Sequence, residues 1–136
     1  MYKTLFYLLL SATLFSCNGN ENDAESAKTE KPEDLVVIEN DLFTEYYPGK
    51  KQIKFQGLQD ESKKRHGKWV FYSETGKELS ITHYSHGAKE GHTIVKYPNG
   101  NLRYVGEYSN DLEVGVWIYY DEKGKKTEKD YDAINR

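Results

Sequence analysis

Beyond residue 35, apolar and polar positions alternate along much of the chain, and the alternation keeps time with a 24-residue interval. Gly67, Gly91 and Gly115 recur at that interval, as do Gly76, Gly100 and Gly124. Trp69, Thr93 and Trp117 share one register position, Phe71, Val95 and Tyr119 share the next alternate one, and Tyr84 matches Tyr108 further along. A period of two is that of a half-buried strand, because successive side chains point to opposite faces. Trp69, Phe71, Trp117 and Tyr119 therefore share one face, with Thr93 and Val95 between them, while Val70, Ile94 and Ile118 point the other way. Lys68 to Tyr72 reads as a strand, Ser73 to Gly76 as a turn, and Glu78 to Tyr84 as the return strand. The turns that begin at Ser73, Tyr97 and Asp121 each carry glycine fourth, as expected of a type I turn closed by a residue at positive φ. Two strands of about six residues and two connections of about four to six fill such a unit, and no helix is called for.

The repeat thins towards both ends. Leu35 to Ile38 is a β-branched run that predicts a capping strand. Tyr46 to Gly57 is an imperfect earlier copy, with Pro48 and Gly49 at the centre of a type II turn. The segment from Gly57 to Gly67, with Lys63, Lys64, Arg65 and His66, reads as a variable loop, and Lys125 to Asp130 as a polar terminal cap. With 12 tyrosines and little leucine, packing is expected to be thin, since tyrosine can bury its ring while its hydroxyl reaches water. The predicted fold is all-β: a single-layer antiparallel meander of repeated β-hairpins over residues 35 to 136, without a deep pocket.

The phrases Gly67-Lys68-Trp69-Val70-Phe71-Tyr72-Ser73-Glu74-Thr75-Gly76 and Gly115-Val116-Trp117-Ile118-Tyr119-Tyr120-Asp121-Glu122-Lys123-Gly124 resemble MORN-type repeats. They are most similar to the bacterial variety called the YwqK family antitoxin component. The resemblance runs from about Tyr46 to Tyr131 and implies strand pairs stacked side by side. The chain departs from that pattern where Asp111 replaces the glycine matching Gly87 and where Thr93 replaces the tryptophan.

The first residues read differently. Lys3, the short apolar run from Leu5 to Phe15 and Ser16-Cys17 form the pattern of a secretory signal peptide over residues 1 to 16. Leu14 to Cys17 looks like the lipobox of bacterial lipoproteins, so Cys17, the single cysteine, is the expected lipid attachment site. Residues 17 to 34 are acidic and hold no aromatic or β-branched apolar side chain, the composition of a flexible linker. An exported protein anchored to a membrane, the bacterial outer membrane by the residues after the cysteine, is the expectation. Residues 35 to 136 carry equal numbers of acidic and basic side chains, so no electrostatic footprint for nucleic acid is present.

Candidate chemistry is sparse. His66, His83, His86 and His92 fall near one repeat junction, but no third ligand accompanies them, and neither a metal site nor a cofactor is expected. No nucleophile elbow, phosphate loop or HExxH occurs, and the expectation is a protein without catalysis. What remains is binding. One expectation is a scaffold that meets an unidentified protein partner through Lys63, Lys64, Arg65, His66, Tyr72 and Tyr120. The alternatives are a glycan platform of Trp69, Tyr72, Trp117 and Tyr120, and an antitoxin or immunity-like protein. Trp69 and Trp117 are themselves expected in the core, the six recurring glycines in turns, and specificity where the copies differ, at Lys63 to His66, Ser85 to Glu90 and Asn110 to Val114.

Overall fold

The computed structural model describes residues 31–134, so Cys17, the signal peptide and most of the linker lie outside the described residues. Nine strands form one antiparallel sheet in simple sequence order. They are β1 (Val36–Glu39), β2 (Leu42–Tyr46), β3 (Ile53–Gln59), β4 (Arg65–Tyr72), β5 (Glu78–Ser85), β6 (Ala88–Lys96), β7 (Leu102–Ser109), β8 (Leu112–Tyr120) and β9 (Lys126–Asp130). The expected single-layer meander of hairpins is therefore the fold.

Several details differ from expectation. The linker ends in a 3-10 turn, Pro32–Leu35, so the first strand begins at Val36 rather than Leu35. The polar tail is a full strand: β9 pairs with β8 from Val116↔Asp130 to Tyr120↔Lys126, with every β9 side chain exposed. Charged residues suit that edge because they discourage pairing with another sheet. A short helix, α1 (Tyr131–Ile134), then turns back onto β8, where Gly115 N–H donates to Asp132 Oδ1 at 2.9 Å. Among the described residues no helix is long and apolar enough to cross a membrane.

The two series of glycines do different jobs. Gly76, Gly100 and Gly124 close turns as expected, each donating its N–H to the first turn residue, Ser73, Tyr97 or Asp121. Gly67, Gly91 and Gly115 instead lie inside β4, β6 and β8 at φ 66°, 88° and 64°. Beside each the pairing register slips, between Gly57 and Leu58, Thr82 and Tyr84, and Val105 and Glu107 on the neighbouring strand. These three are bulge residues rather than turn residues. A bulge bends its strand and adds right-handed twist, and the positive φ that it needs here is one glycine adopts at low cost. Such a bulge recurs on every second strand, β4, β6 and β8.

The bulge also corrects the loop assigned to Gly57 through Gly67. It absorbs residues into the strands, so β3 runs to Gln59, β4 starts at Arg65, and only residues 60–64 are loop. Arg65 and His66 are strand residues.

The ends of the sheet are unlike. At one end, two-residue connections at Asn40-Asp41, His86-Gly87 and Asn110-Asp111 have both residues at positive φ, the type I′ geometry that matches strand twist. The loop 60–64 shares that end; at the other end every connection is a longer turn, and there Tyr47 and Tyr97 hydroxyls donate to the Tyr72 and Tyr120 carbonyls, each at 2.9 Å. Each tyrosine thus ties its turn to the following unit.

Candidate interaction surface

A row of partners crosses one face of the sheet strand by strand: Phe43, Gly57, Trp69, Thr82, Thr93 and Gly106. Trp117 closes the row over Gly106. A Cβ on Gly57 would collide with the Trp69 ring, and a Cβ on Gly106 with the Trp117 ring. Each indole therefore lies flat on a neighbouring backbone that only glycine leaves bare. Its N–H finds a carbonyl nearby: Trp69 Nε1 donates to Leu58 O at 2.8 Å, and Trp117 Nε1 to Glu107 O and Val114 O at 3.2 Å each. Where tryptophan gives way to Thr93, the opposing residue is Thr82 rather than glycine. The two hydroxyls meet at 2.9 Å, and Thr93 Oγ1 also reaches Ile81 O at 3.2 Å.

Two aromatic clusters result. Around Trp69 stand Phe43, Phe55 and Tyr84 at ring centroid distances of 5.6, 6.1 and 6.3 Å. Around Trp117 stand Tyr104, Tyr108, Tyr119 and Tyr131 at 5.7, 4.9, 6.0 and 5.9 Å. Trp69 keeps 6% of its surface and Trp117 1%, so both are core, and neither offers an open ring face for a sugar.

The residues expected to form a partner surface do not come together. Lys63, Lys64, Arg65 and His66 sit at the type I′ end, whereas Tyr72 ends the same strand, about 23 Å away at the rise of an extended chain. Tyr120 lies on β8, four strand spacings from Tyr72, or about 19 Å. Lys63 is held to Asp41 at 3.2 Å, both side chains being well exposed. His86 Nδ1 donates to Asp60 Oδ2 at 2.8 Å, and the His66 and His86 rings are 5.2 Å apart. The Lys64 N–H and the His86 imidazole, with smaller help from the Ser62 N–H, hold the Asp60 carboxyl below its ordinary value. His83 spends Nδ1 on His92 O at 3.0 Å. Among the described residues, no group of three or more His, Cys, Asp or Glu side chains is placed to hold a metal ion.

Arg65 is the member of the set with unusual surroundings. Its guanidinium lies 4.5 Å from the Trp69 ring centre, 5.4 Å from Tyr84 and 5.5 Å from Phe55, and it donates to the Tyr84 hydroxyl at 3.2 Å. It sits at the margin of a depression of about 230 Å³ beside Trp69, with Phe71, Ser80 and Thr82 among its lining. The sequence marked Arg65 only as one of four basic neighbours. Arg65 shares the Trp69 face because it stands four residues before Trp69 in the same strand, and the two residues taken up by the bulge leave that alternation intact. The glycines beneath the indoles were also missed, although the signal existed: glycine or threonine precedes each Trp69-series residue by about half a unit and changes with it.

A scan against protein-family models and a search of curated proteins returned no match to this chain.

Proposed function

We propose that this protein is a non-catalytic, membrane-anchored module of the cell envelope that offers one face of a β-repeat sheet to a protein partner. The observation that supports this most is the open single layer itself. The indoles fixed over glycine backbone anchor the side chains around them, so a partner meets a surface already ordered and loses little entropy on binding. The depressions in the sheet are open to solvent, whereas enzyme sites are usually enclosed enough to exclude water. The MORN-like phrase of the sequence fits a platform of this kind. Lipid on Cys17 and the acidic linker would hold the sheet clear of the bilayer, the linker spanning roughly 20 to 25 Å as a flexible chain.

Crosslinking on intact cells, followed by recovery of the protein through a C-terminal tag, tests the reading. A discrete partner recovered with the wild type, and lost when Cys17→Ala releases the protein from membranes, supports it. Recovery of the protein alone, or wild type that takes up no labelled fatty acid, counts against the partner and the anchor respectively.

A further inference from the structure

The two aromatic clusters share a register around their tryptophans, so Phe55, Phe71 and Tyr84 correspond to Tyr104, Tyr119 and Tyr131. Trp69 faces Thr82 and Phe71 faces Ser80, as Trp117 faces Lys129 and Tyr119 faces Thr127. Tyr84 and Tyr131 each lie two residues beyond the partner of their tryptophan and meet it edge-on, at 71° and 66°. Arg65 and Glu113 each stand four residues before their tryptophan.

The cluster at Trp117 completes itself. The Tyr119 and Tyr131 hydroxyls meet at 3.1 Å, Glu113 accepts from Tyr131, and Lys129 Nζ sits 4.0 Å above the Tyr131 ring. Anion, cation and bridging hydroxyls are all supplied by the chain. At Trp69 the same positions hold other groups. Phe71 has no hydroxyl to bridge with Tyr84, Thr82 stands where Lys129 does, and the place of the Glu113 carboxylate is taken by the Arg65 guanidinium. None of the ion pairs among the described residues involves Arg65. The nearby basic and acidic groups are engaged elsewhere, Lys63 with Asp41 and Asp60 with His86. The result is a depression with a cation on its rim and no anion of its own.

We propose that the depression beside Trp69 is a binding site for a carboxylate, supplied by an Asp or Glu side chain of the protein partner and clasped by Arg65. The guanidinium is already oriented by its seat on Trp69 and Tyr84, and it spends one donor on the Tyr84 hydroxyl. Arginine has five N–H donors in a planar fork that matches a carboxylate in bidentate fashion. Ser80 adds a hydroxyl at the depression, the Thr82 hydroxyl being spent on Thr93, and Phe71 gives an apolar wall for the methylenes of the acidic side chain. The volume of about 230 Å³ is below the roughly 300 to 1,000 Å³ of sites that enclose a small molecule. It suits one side chain of a larger partner. This site rests on the proposed protein-binding function and gives that partner a chemical feature.

The test is a titration of the full chain with two blocked tripeptides, Ala-Glu-Ala and Ala-Gln-Ala, and with glucuronate, followed by the indole N–H resonances of Trp69 and Trp117. The glutamate peptide is expected to move the Trp69 resonance saturably and leave Trp117 still. The glutamine peptide should bind more weakly by about ten- to a hundredfold, the range for losing a hydrogen bond to a charged group. Arg65→Gln should abolish the Trp69 response while leaving the Trp117 resonance and the melting temperature near wild type. Should Arg65→Gln not fold, Arg65→Lys, which keeps the charge but loses the fork, is expected to weaken binding severalfold. Equal responses to the two peptides, equal movement of both indoles, or tighter binding of glucuronate than of the glutamate peptide would each overturn the site. In cells, an Arg65→Gln protein that recovers the wild-type partner undiminished contradicts the site while leaving the scaffold function standing. The absence of any wild-type partner contradicts the scaffold instead, and the peptide titration still decides the site.

Discussion

At Trp69 and at Trp117 the same arrangement, an indole laid on a neighbouring glycine and edged by a tyrosine, ends in opposite electrostatic states. The Trp117 cluster joins Tyr119, Tyr131, Glu113 and Lys129 into a self-contained network, and its tryptophan keeps 1% of its surface. The Trp69 cluster replaces tyrosine with Phe71 and carboxylate with Arg65, and a depression remains. The backbone of the repeat is therefore indifferent to which outcome occurs. A few side chains on a shared register decide whether a cluster closes on itself or keeps a depression with a cation at its rim.

Cutting out each indole is the most forceful way to break the comparison. Trp117→Ala is expected to destabilise by about 3 to 5 kcal/mol, the usual range for emptying a buried aromatic site. Trp69→Ala should fall at the lower end of that range, because Trp69 is the more exposed of the two and meets fewer rings. Urea midpoints followed by circular dichroism measure both; a larger loss at Trp69 would reverse the assignment of closed and open cluster.

The middle unit offers a way to sharpen it. Thr82 and Thr93 occupy the places that glycine and tryptophan hold on either side. Thr93→Trp alone drives an indole onto the Thr82 side chain, and overpacking of this kind costs about 1 to 3 kcal/mol. The double change Thr82→Gly, Thr93→Trp is expected to recover most of that loss, with a coupling of about 1 to 3 kcal/mol in the double-mutant cycle. Additive effects would show that glycine beneath the ring is incidental.

Much of the fold is legible in the sequence because its signals are local. Alternation at Lys68 to Tyr72 and glycine at Gly76, Gly100 and Gly124 are each decided by a few adjacent residues, and strands and turns fell where these predicted. The jobs of Gly67, Gly91 and Gly115 are not local. A bulge is defined by the partner strand, and a glycine with positive φ looks the same in a turn as in a strand. The pairing of Gly57 with Trp69 is a cross-strand relation too, visible only once the register is known. Arg65 was obscured for the same reason, since a residue counted into a loop has no face. α1 is a single turn of helix docked on β8 and had no periodicity to announce it.

The pH dependence separates the clusters more gently. Burial, and then the bond to Tyr131, push the Tyr119 phenol well above its ordinary value of 10.0; burial raises Tyr104, and the bond to Glu113 raises Tyr131. Because the folded values are raised, the unfolded chain loses these protons first. Their contribution is intact below about pH 10 and is lost as the pH climbs beyond it. The positions equivalent to Tyr104 and Tyr119 in the other cluster are Phe55 and Phe71, which do not titrate. Tyr119→Phe is therefore expected to flatten the alkaline fall in melting temperature while the neutral-pH response at Trp69 stays unchanged. An unaltered alkaline slope would remove Tyr119 from the network.

Quenching by iodide tests the central claim, that one cluster is closed and the other is an open site for anions, most directly. Two single-tryptophan proteins, Trp117→Phe and Trp69→Phe, report the two clusters separately. Iodide should quench Trp69 more strongly than Trp117, and Arg65→Gln should bring the two closer together, because the guanidinium draws the anion to the ring it covers. Equal quenching of the two indoles, or stronger quenching of Trp117, would contradict the account.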